Sequence, residues 1–575
     1  MADKLSIAEL VDFIGREIAY DNHRFAQIHS AHLDDLSISG EILGPLKVSG
    51  RNASEDLVLT AEKIYFSRFR VGDIVEIAQV APGTTRLKKN GNTTKIRSVQ
   101  FPAPGQIEIV VPGRKLDLQR GDELFLFPTS MADIQRRVAR KLREFALEPT
   151  VPDRTPINRS NLLSALTTQA GHLNQSQTEA LRFIIENDLN GLIQGPPGTG
   201  KTHVLISLIK TAMSQGLRVG LAALSHAAVD NALSKVLKSG VSEDRCVRIS
   251  SDSGKVSSAL YSPTDVTALI HESLGKCPRH YQLYAATMHS WMLSGSTPEI
   301  DVLIIDEASQ VPIFFSPYLA KLSARIIMFG DHRQLPPVIQ TSTASLPAED
   351  IFSYAISKGQ FPMLETQYRM NARIQDWSSK RFYQGRLHPH ESVHSRDILT
   401  GRSFTNAMLK GEQVNLLSHN GRSTSNANPT EATLVAEIVA GLRRQGGLES
   451  GEIGVVSPHR AHAGAICAKL QEKLGLEDAR KITVDTVERF QGQEREAMVF
   501  SFGVERNTAK SGAKEFLGDG RRLNVAVTRA RSRFYCLAPR TLINEVGALG
   551  ADSDLADFLK WCDGGTAPTR GRTSA

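Results

Sequence analysis

Cysteine is scarce in this chain: five in 575 residues, at positions 246, 277, 467, 536 and 562, with no C-x-x-C pair anywhere. That argues against a zinc ribbon, an iron–sulfur cluster and a disulfide framework, and it suits a reducing cytosol. Long apolar runs are missing too. None approaches the roughly 18 residues needed to cross a bilayer, so no membrane partner is expected. The opening MADKLSIAELVDF has no basic stretch followed by an apolar core, so the expectation is no secretory leader and a cytoplasmic setting. There is no solenoid repeat and no long low-complexity tract. Acidic excess is absent as well: 68 Lys and Arg against 61 Asp and Glu leave a net charge of +7. Such a balance admits a polyanionic partner without demanding one. What remains is a globular composition, 41% hydrophobic and 22% charged, long enough for about three or four domains.

The most informative stretch is GLIQGPPGTGKTHVLISLI, Gly191 to Ile209. It reads Gly195-x4-Gly200-Lys201-Thr202 between a short apolar strand and a helical pattern, the context a phosphate-binding P-loop requires. Gly195, Pro196, Pro197, Gly198, Thr199 and Gly200 form the turn, whose backbone N–H groups would cradle the β- and γ-phosphates. Lys201 would neutralise phosphate charge, Thr202 would ligate magnesium, and His203 follows in the first helical turn. A nucleoside triphosphate site is expected here. Which class of NTPase it serves is not decided by the loop.

Residues 7–18 place Ile7, Leu10, Val11, Ile14 and Ile18 at helical spacing. Between about 35 and 128 the runs LSISGEIL, LVLTAEKIYF, DIVEIAQV, KIRSVQF, QIEIVV and ELFLF, separated by Gly/Pro/Asn turns, predict a small β-barrel. The segment RLKKNGNTTKIR, with Arg86, Lys88, Lys89, Lys95 and Arg97, reads as a turn: either a solvated hairpin or a loop on a nucleic-acid backbone. Residues 131–147 return to a basic helix, and VPDRTPINRS is a linker. From about 160 apolar strands alternate with helices, the pattern of parallel sheets covered on both faces. The alternation restarts after about 362, so two doubly wound α/β domains in series are expected. The boundaries read as an N-terminal helix over 1–30, a barrel over 31–130, and a helix with linker over 131–160. The α/β domains follow at 161–361, with a small insertion near 240–283, and at 362–562. A disordered tail at 563–575 closes the chain.

DVLIIDEASQ delivers Asp306 and Glu307 at the end of an apolar strand, where ligands of open α/β sheets bind. Asp306 can hold magnesium, and Glu307 can orient or deprotonate the attacking water. ARIIMFGDHRQLPPV follows, placing Gln334 to sense the γ-phosphate. With LETQYRMNARIQDW, TVERFQGQERE and LNVAVTRARSRF, these motifs resemble, in order, those of superfamily 1 helicases over roughly 173–540. The likeness points to the Up-frameshift and immunoglobulin-mu-binding-protein subgroup.

That resemblance implies two RecA-like domains preceded by an accessory barrel on helical stalk segments, 1–18 and 131–147. It implies that Gln177 of LNQSQTEAL reads adenine, that Arg369 and Arg529 act on the γ-phosphate, that Glu494 meets the nucleotide sugar, and that Tyr368 flanks the nucleotide or packs. Strand contacts are implied for Ser225 and His226, Thr287, Pro458, His459, Arg460 and Thr486. Glu488 stands where the family shows Asp, Asn371 where it shows His, and SPHRAH replaces a more usual TPYRAQ. The implied activity is ATP- and Mg2+-dependent movement along single-stranded DNA or RNA, 5′ to 3′, by a monomeric core. An alternative from another class is an ATP-controlled clamp or switch subunit that unwinds little and depends on protein partners. A GTPase or metabolite kinase conflicts with Gln177, the second α/β unit and the two arginines.

Overall fold

The computed structural model describes residues 6–80, 87–113, 116–147, 152–153, 155–169, 171–250, 256, 270–294, 296–424, 427–504, 519–547 and 553–564. The chain divides into two compact units, Met1–Phe25 with Ser130–Tyr368, and Ala26–Thr129 with Arg369–Ala575.

The first unit is built on a seven-stranded sheet whose ladders are all parallel. Its order is Ile270–His271, Cys246–Ile249, Leu283–Thr287, Val219–Ala223, Val302–Ile305, Ile326–Gly330 and Gly191–Gln194. Strands Val219–Ala223 and Val302–Ile305 are apolar and buried throughout, because helices cover both faces. On one face Ile193, Leu221 and Ile304 pack with Leu205, Ile209, Val229 and Leu233. On the other, Tyr284, Leu303 and Ile305 pack with Trp291 and Phe315. The segments expected as stalks are helices, Ile7–Ser30 and Ala132–Leu147. Both dock on this second core, through Leu10, Phe13 and Ile14 and through Val138 and Leu142. Glu17 pins the first helix by accepting from the Gln340 and Thr341 amides at 3.1 and 2.7 Å. Within 240–283, expected as an insertion, Cys246–Ile249 and Ile270–His271 are strands that extend the sheet; 251–255 and 257–269 lie outside the described residues.

The second unit holds an antiparallel seven-stranded sheet ordered Leu87–Lys95, Ile74–Val80, Glu123–Pro128, Leu43–Arg51, Leu57–Ala61, Ile107–Val111 and Ser98–Gln100. It curls over one core that includes Leu46, Leu59, Ile77, Ile109 and Leu126. The order is open, with Leu87–Lys95 and Ser98–Gln100 as its edges, so the ladders among the described residues stop short of the expected closed barrel. Two local readings change. LSISGEIL does not form one strand: Leu33–Ile38 is a helix with Asp34 and Asp35 in its first turn, where negative charge suits the helix dipole, and the strand begins at Leu43. RLKKNGNTTKIR is not a turn but mostly an edge strand, paired antiparallel to Ile74–Val80 across a bulge at Ile77/Ala78. Arg86 lies outside the described residues, and Arg97 pairs with Asp56 at 2.6 Å.

The same unit carries a five-stranded parallel sheet, ordered Val414–His419, Ala530–Pro539, Arg495–Ser501, Ile453–Val456 and Thr483–Asp485. Helices Pro429–Arg444 and Arg460–Leu474 share a core with it. A further cluster is aromatic: Trp377 stacks on Trp561 at 5.9 Å, with Phe500, Phe534 and Phe558 around them. The antiparallel sheet is tied to this α/β part by polar bonds. Arg70 meets Asp485 at 2.6 Å, Glu41 meets Arg460 and Arg68 at 3.1 Å each, and Gly105 N donates to Gln471 Oε1 at 3.1 Å. Among the described residues no helix is long and apolar enough to cross a membrane. Helix Asp554–Cys562 ends where the tail was expected to begin, and 565–575 lie outside the described residues.

Candidate functional site

The strand Gly191–Gln194 runs into the loop 195–200, and helix Lys201–Ser214 starts directly from it. Glycine is required at Gly198 and Gly200, whose φ angles of 77° and 76° are left-handed. At Gly195 the need is room: a Cβ there would stand 3.0 Å from the Lys201 side chain. Thr199 Oγ1 closes the loop on Pro196 O at 2.7 Å. The result is a backbone cradle at the N-terminus of a 14-residue helix, a shape and polarity suited to phosphate. Thr202 is half-buried in the first turn, and His203 beside it is exposed.

Val302–Ile305 brings Asp306 and Glu307 to the same cradle. Lys201 Nζ lies 2.7 Å from Glu307 Oε1. Burial pushes the lysine pKa down, but Glu307, Asp306 and Asp331 outweigh it and hold the ammonium more firmly charged than usual. Asp306 goes the other way: burial, with Glu307 adding, raises it to about 6 against the pull of Lys201. Its Oδ1 accepts from the Glu307 amide at 2.9 Å. Glu307 has φ 50° and ψ 41°, a left-handed conformation that costs a non-glycine residue about 1–3 kcal/mol and is typical of functional turns. Gln310 Nε2 donates to Glu307 Oε2 at 3.3 Å.

Gln334 lies in the same polar cluster, held through a residue the motif reading passed over. Asp331, fully buried at the end of strand Ile326–Gly330, accepts from Gln334 Nε2 at 2.8 Å and from Gln194 Nε2 at 3.1 Å. It therefore joins the expected γ-phosphate sensor to the strand that precedes the P-loop. The signal was available: like Asp306, Asp331 is the first acid after an apolar strand.

Gln177 also touches the loop. Its Nε2 donates to Thr199 O at 2.9 Å, and its Oε1 accepts from the Asn174 amide at 3.0 Å as half of a capping box. The residue expected to read adenine thus also braces the loop 195–200. Tyr368 sits beside it: its amide donates to Gly198 O at 2.8 Å and its hydroxyl accepts from Asn174 Nδ2 at 2.9 Å.

In the second unit, Arg369 and Glu494 pair at 2.5 Å. Burial pushes the Glu494 carboxyl up, but Arg369, with Arg531 and Arg529, holds it below the ordinary range. Arg529 is buried and donates to Val525 O at 3.0 Å and Gln493 O at 3.4 Å.

The residues expected to touch a strand divide by what already engages them. Ser225 is exposed and accepts from Ala228 N as a helix cap, which leaves its hydroxyl hydrogen for a ligand. His226 lies beside it, half-buried. Thr287 is buried and caps helix Met288–Leu293 through Ser290 N at 3.2 Å. Pro458 is buried, His459 is pushed down to about 4 by burial with His462 adding, and Arg460 is engaged by Glu41. Thr486 is half-buried, its amide on Asp485 Oδ1 at 2.9 Å.

Two family models, each described as an AAA domain, match residues 172–289 with 282–342 and residues 348–540. The DNA replication ATP-dependent helicase/nuclease JHS1 of Arabidopsis thaliana is 28% identical over 400 residues, covering 66% of this chain and 29% of that protein. The DNA polymerase alpha-associated DNA helicase A of Schizosaccharomyces pombe is 29% identical over 432 residues, covering 64% of this chain and 63% of its own. The DNA-binding protein SMUBP-2 of Mesocricetus auratus is 27% identical over 440 residues, covering 65% and 43%. The chain spans less than two thirds of the length of each of these relatives. Among solved structures, the arterivirus helicase nonstructural protein 10 aligns at 12% identity over 82% of this chain and 78% of that one, with TM-score 0.37, a likeness too slight to bear on function. The two AAA domains lie in tandem, in the order of the motifs that the sequence displays, and the chain belongs to the superfamily 1 helicases.

Proposed function

We propose that this chain hydrolyses ATP to move along single-stranded nucleic acid and separate duplexes, with two RecA-like domains as the motor and the curled antiparallel sheet as an accessory barrel. One observation carries the reading. The P-loop lysine, the Asp306–Glu307 pair and the Asp331–Gln334 pair converge on one cradle of left-handed glycines.

Glu307 lies 2.7 Å from Lys201 Nζ. A triphosphate offers Lys201 a more highly charged partner, so Glu307 is released to orient and deprotonate water. Gln334, held by Asp331, is proposed to register whether the last phosphate is present. Thr202 and Asp306 are the residues that would hold Mg2+, which would neutralise developing phosphoryl charge. Their donor set fits a hard cation: a hydroxyl and a carboxylate, with phosphate oxygens completing the shell. Arg369 and Arg529 are proposed to stabilise phosphoryl charge in the transition state, as the family resemblance implies. Ser225 and His226 are proposed as strand contacts, and the direction as 5′ to 3′.

Steady-state ATPase with and without oligothymidine or oligouridine tests the motor reading, and unwinding of duplexes with a 5′ or a 3′ tail tests the direction. Stimulation by strand with unwinding from the 5′ tail supports both. Stimulation without unwinding from either tail replaces the helicase by a clamp, and no nucleoside triphosphate turnover at all removes the motor.

A further inference from the structure

His226 opens the helix His226–Lys238, and Asp230 follows it on the same face one turn later, as i, i+4 spacing dictates. Arg248 comes from strand Cys246–Ile249 in the adjoining sheet and is fully buried. Its guanidinium reaches both helix residues. Nε donates to Asp230 Oδ1 at 2.6 Å, Nη2 lies 3.0 Å from His226 Nδ1, and Nη1 donates to Ile249 O.

The chemistry of that contact assigns a proton. A guanidinium has five N–H donors and no acceptor. Its bond to His226 therefore exists only when Nδ1 presents a lone pair, so the ring proton is on Nε2. A second proton on Nδ1 would face the guanidinium N–H and its positive charge, so the ring is held neutral. Asp230, itself buried, offsets the charge of Arg248 and fixes its orientation.

We propose that Arg248 and Asp230 are positioning residues that lock His226 as a neutral, Nε2-protonated donor to a phosphate oxygen of the bound strand, a role that rests on the strand-binding reading above. The consequence is a contact that sets register without displacing counterions. Cationic contacts to a single strand each steepen the fall of affinity with salt by about 0.7 in log–log slope. A neutral donor contributes a factor that salt leaves alone.

The test is binding of a fluorescent oligothymidine by wild type and His226→Ala between about 50 and 200 mM salt, alongside two-bond 1H–15N spectra of protein labelled at histidine. His226→Ala is expected to weaken binding about three- to tenfold by the same factor at every salt concentration, the loss of one neutral hydrogen bond. The spectrum lost in His226→Ala is expected to be that of a neutral, Nε2-protonated ring. Replacing the pair together, Asp230→Leu with Arg248→Met, keeps the volume apolar, since buried ion pairs are often tolerantly replaced this way. That variant is expected to lose the single-tautomer signal and to bind like His226→Ala, with no further loss when the two are combined. A drop in salt slope on His226→Ala, unchanged affinity, or a wild-type ring protonated on Nδ1 overturns the proposal. If the paired variant does not fold, the single variant and the wild-type spectrum still decide it. Wild type that binds no strand sinks the strand-binding reading itself, whereas wild type that binds while His226→Ala binds equally sinks only the role of His226.

Discussion

Glu307→Gln isolates the contact that joins phosphate binding to hydrolysis. The Glu307 carboxylate lies 2.7 Å from Lys201 Nζ, with side-chain exposures of only 28% and 12%. A charge-assisted hydrogen bond of this kind is worth about 1.5–3 kcal/mol net. A nucleotide that recruits Lys201 forfeits that amount before gaining anything. Glutamine keeps the shape and the bond to Gln310 but removes the charge, and Asp306 and Asp331 still face the ammonium. Nucleotide affinity is therefore expected to rise about 10- to 100-fold, at about 1.4 kcal/mol per decade. Turnover is expected to fall about 10²- to 10⁴-fold with loss of the group that handles the water proton. Fluorescent-nucleotide titration gives the first quantity and phosphate release the second. Weaker binding in the variant would refute the idea that Glu307 competes for Lys201, and undiminished phosphate release would remove Glu307 from the chemistry.

Lys201→Ala is expected to abolish phosphate release while leaving the fold intact, checked by far-ultraviolet circular dichroism; retained turnover would sink the P-loop assignment. Arg529→Ala and Arg369→Ala are each expected to lower turnover far more than nucleotide affinity, since their proposed role is on transition-state charge; equal losses in both would make them binding residues only. Asp350, buried, caps helix Ile351–Ile356, and burial raises its carboxyl to about 6 despite bonds from Ser353 and Phe352. With the folded value above the unfolded one, its contribution is most favourable below about 4 and is lost as pH rises through about 6. Asp350→Asn keeps the cap without the charge. At pH 8 it is expected to be more stable by up to about 3 kcal/mol, about two units at 1.36 kcal/mol each. That margin should vanish near pH 4, and an equal thermal midpoint at both pH values would contradict it.

Much of the two α/β domains was legible because their signals are local. The P-loop, the Asp306–Glu307 turn and the apolar strands ahead of Asp306 and Gln334 each follow from a few adjacent residues, and each lies where the pattern put it. The antiparallel domain was read less well. The strand Leu87–Lys95 carries polar residues and glycine, and an edge strand needs no apolar alternation, so its sequence looked like a turn. Residue roles that depend on tertiary partners were not legible at all. Arg460, expected to touch a strand, also pairs with Glu41, more than four hundred residues earlier. Thr287, expected likewise, also caps a helix. Arg248 looked like an ordinary charge in a short strand, and only folding brings Asp230 and His226 to it.

Gln177 has a consequence for anyone who would retune this protein. Its amide is bonded to Thr199 O and its Nε2 lies where a Cβ on Gly200 would clash at 2.6 Å. A residue proposed to recognise a base is therefore also a structural member of the loop proposed to receive the phosphates. Changing the preferred nucleotide by substitution at 177 would deform that loop as well. On that proposal selectivity and rate would be mechanically linked at this position, and an altered specificity would have to be engineered together with a second change that supports Thr199 and Gly200.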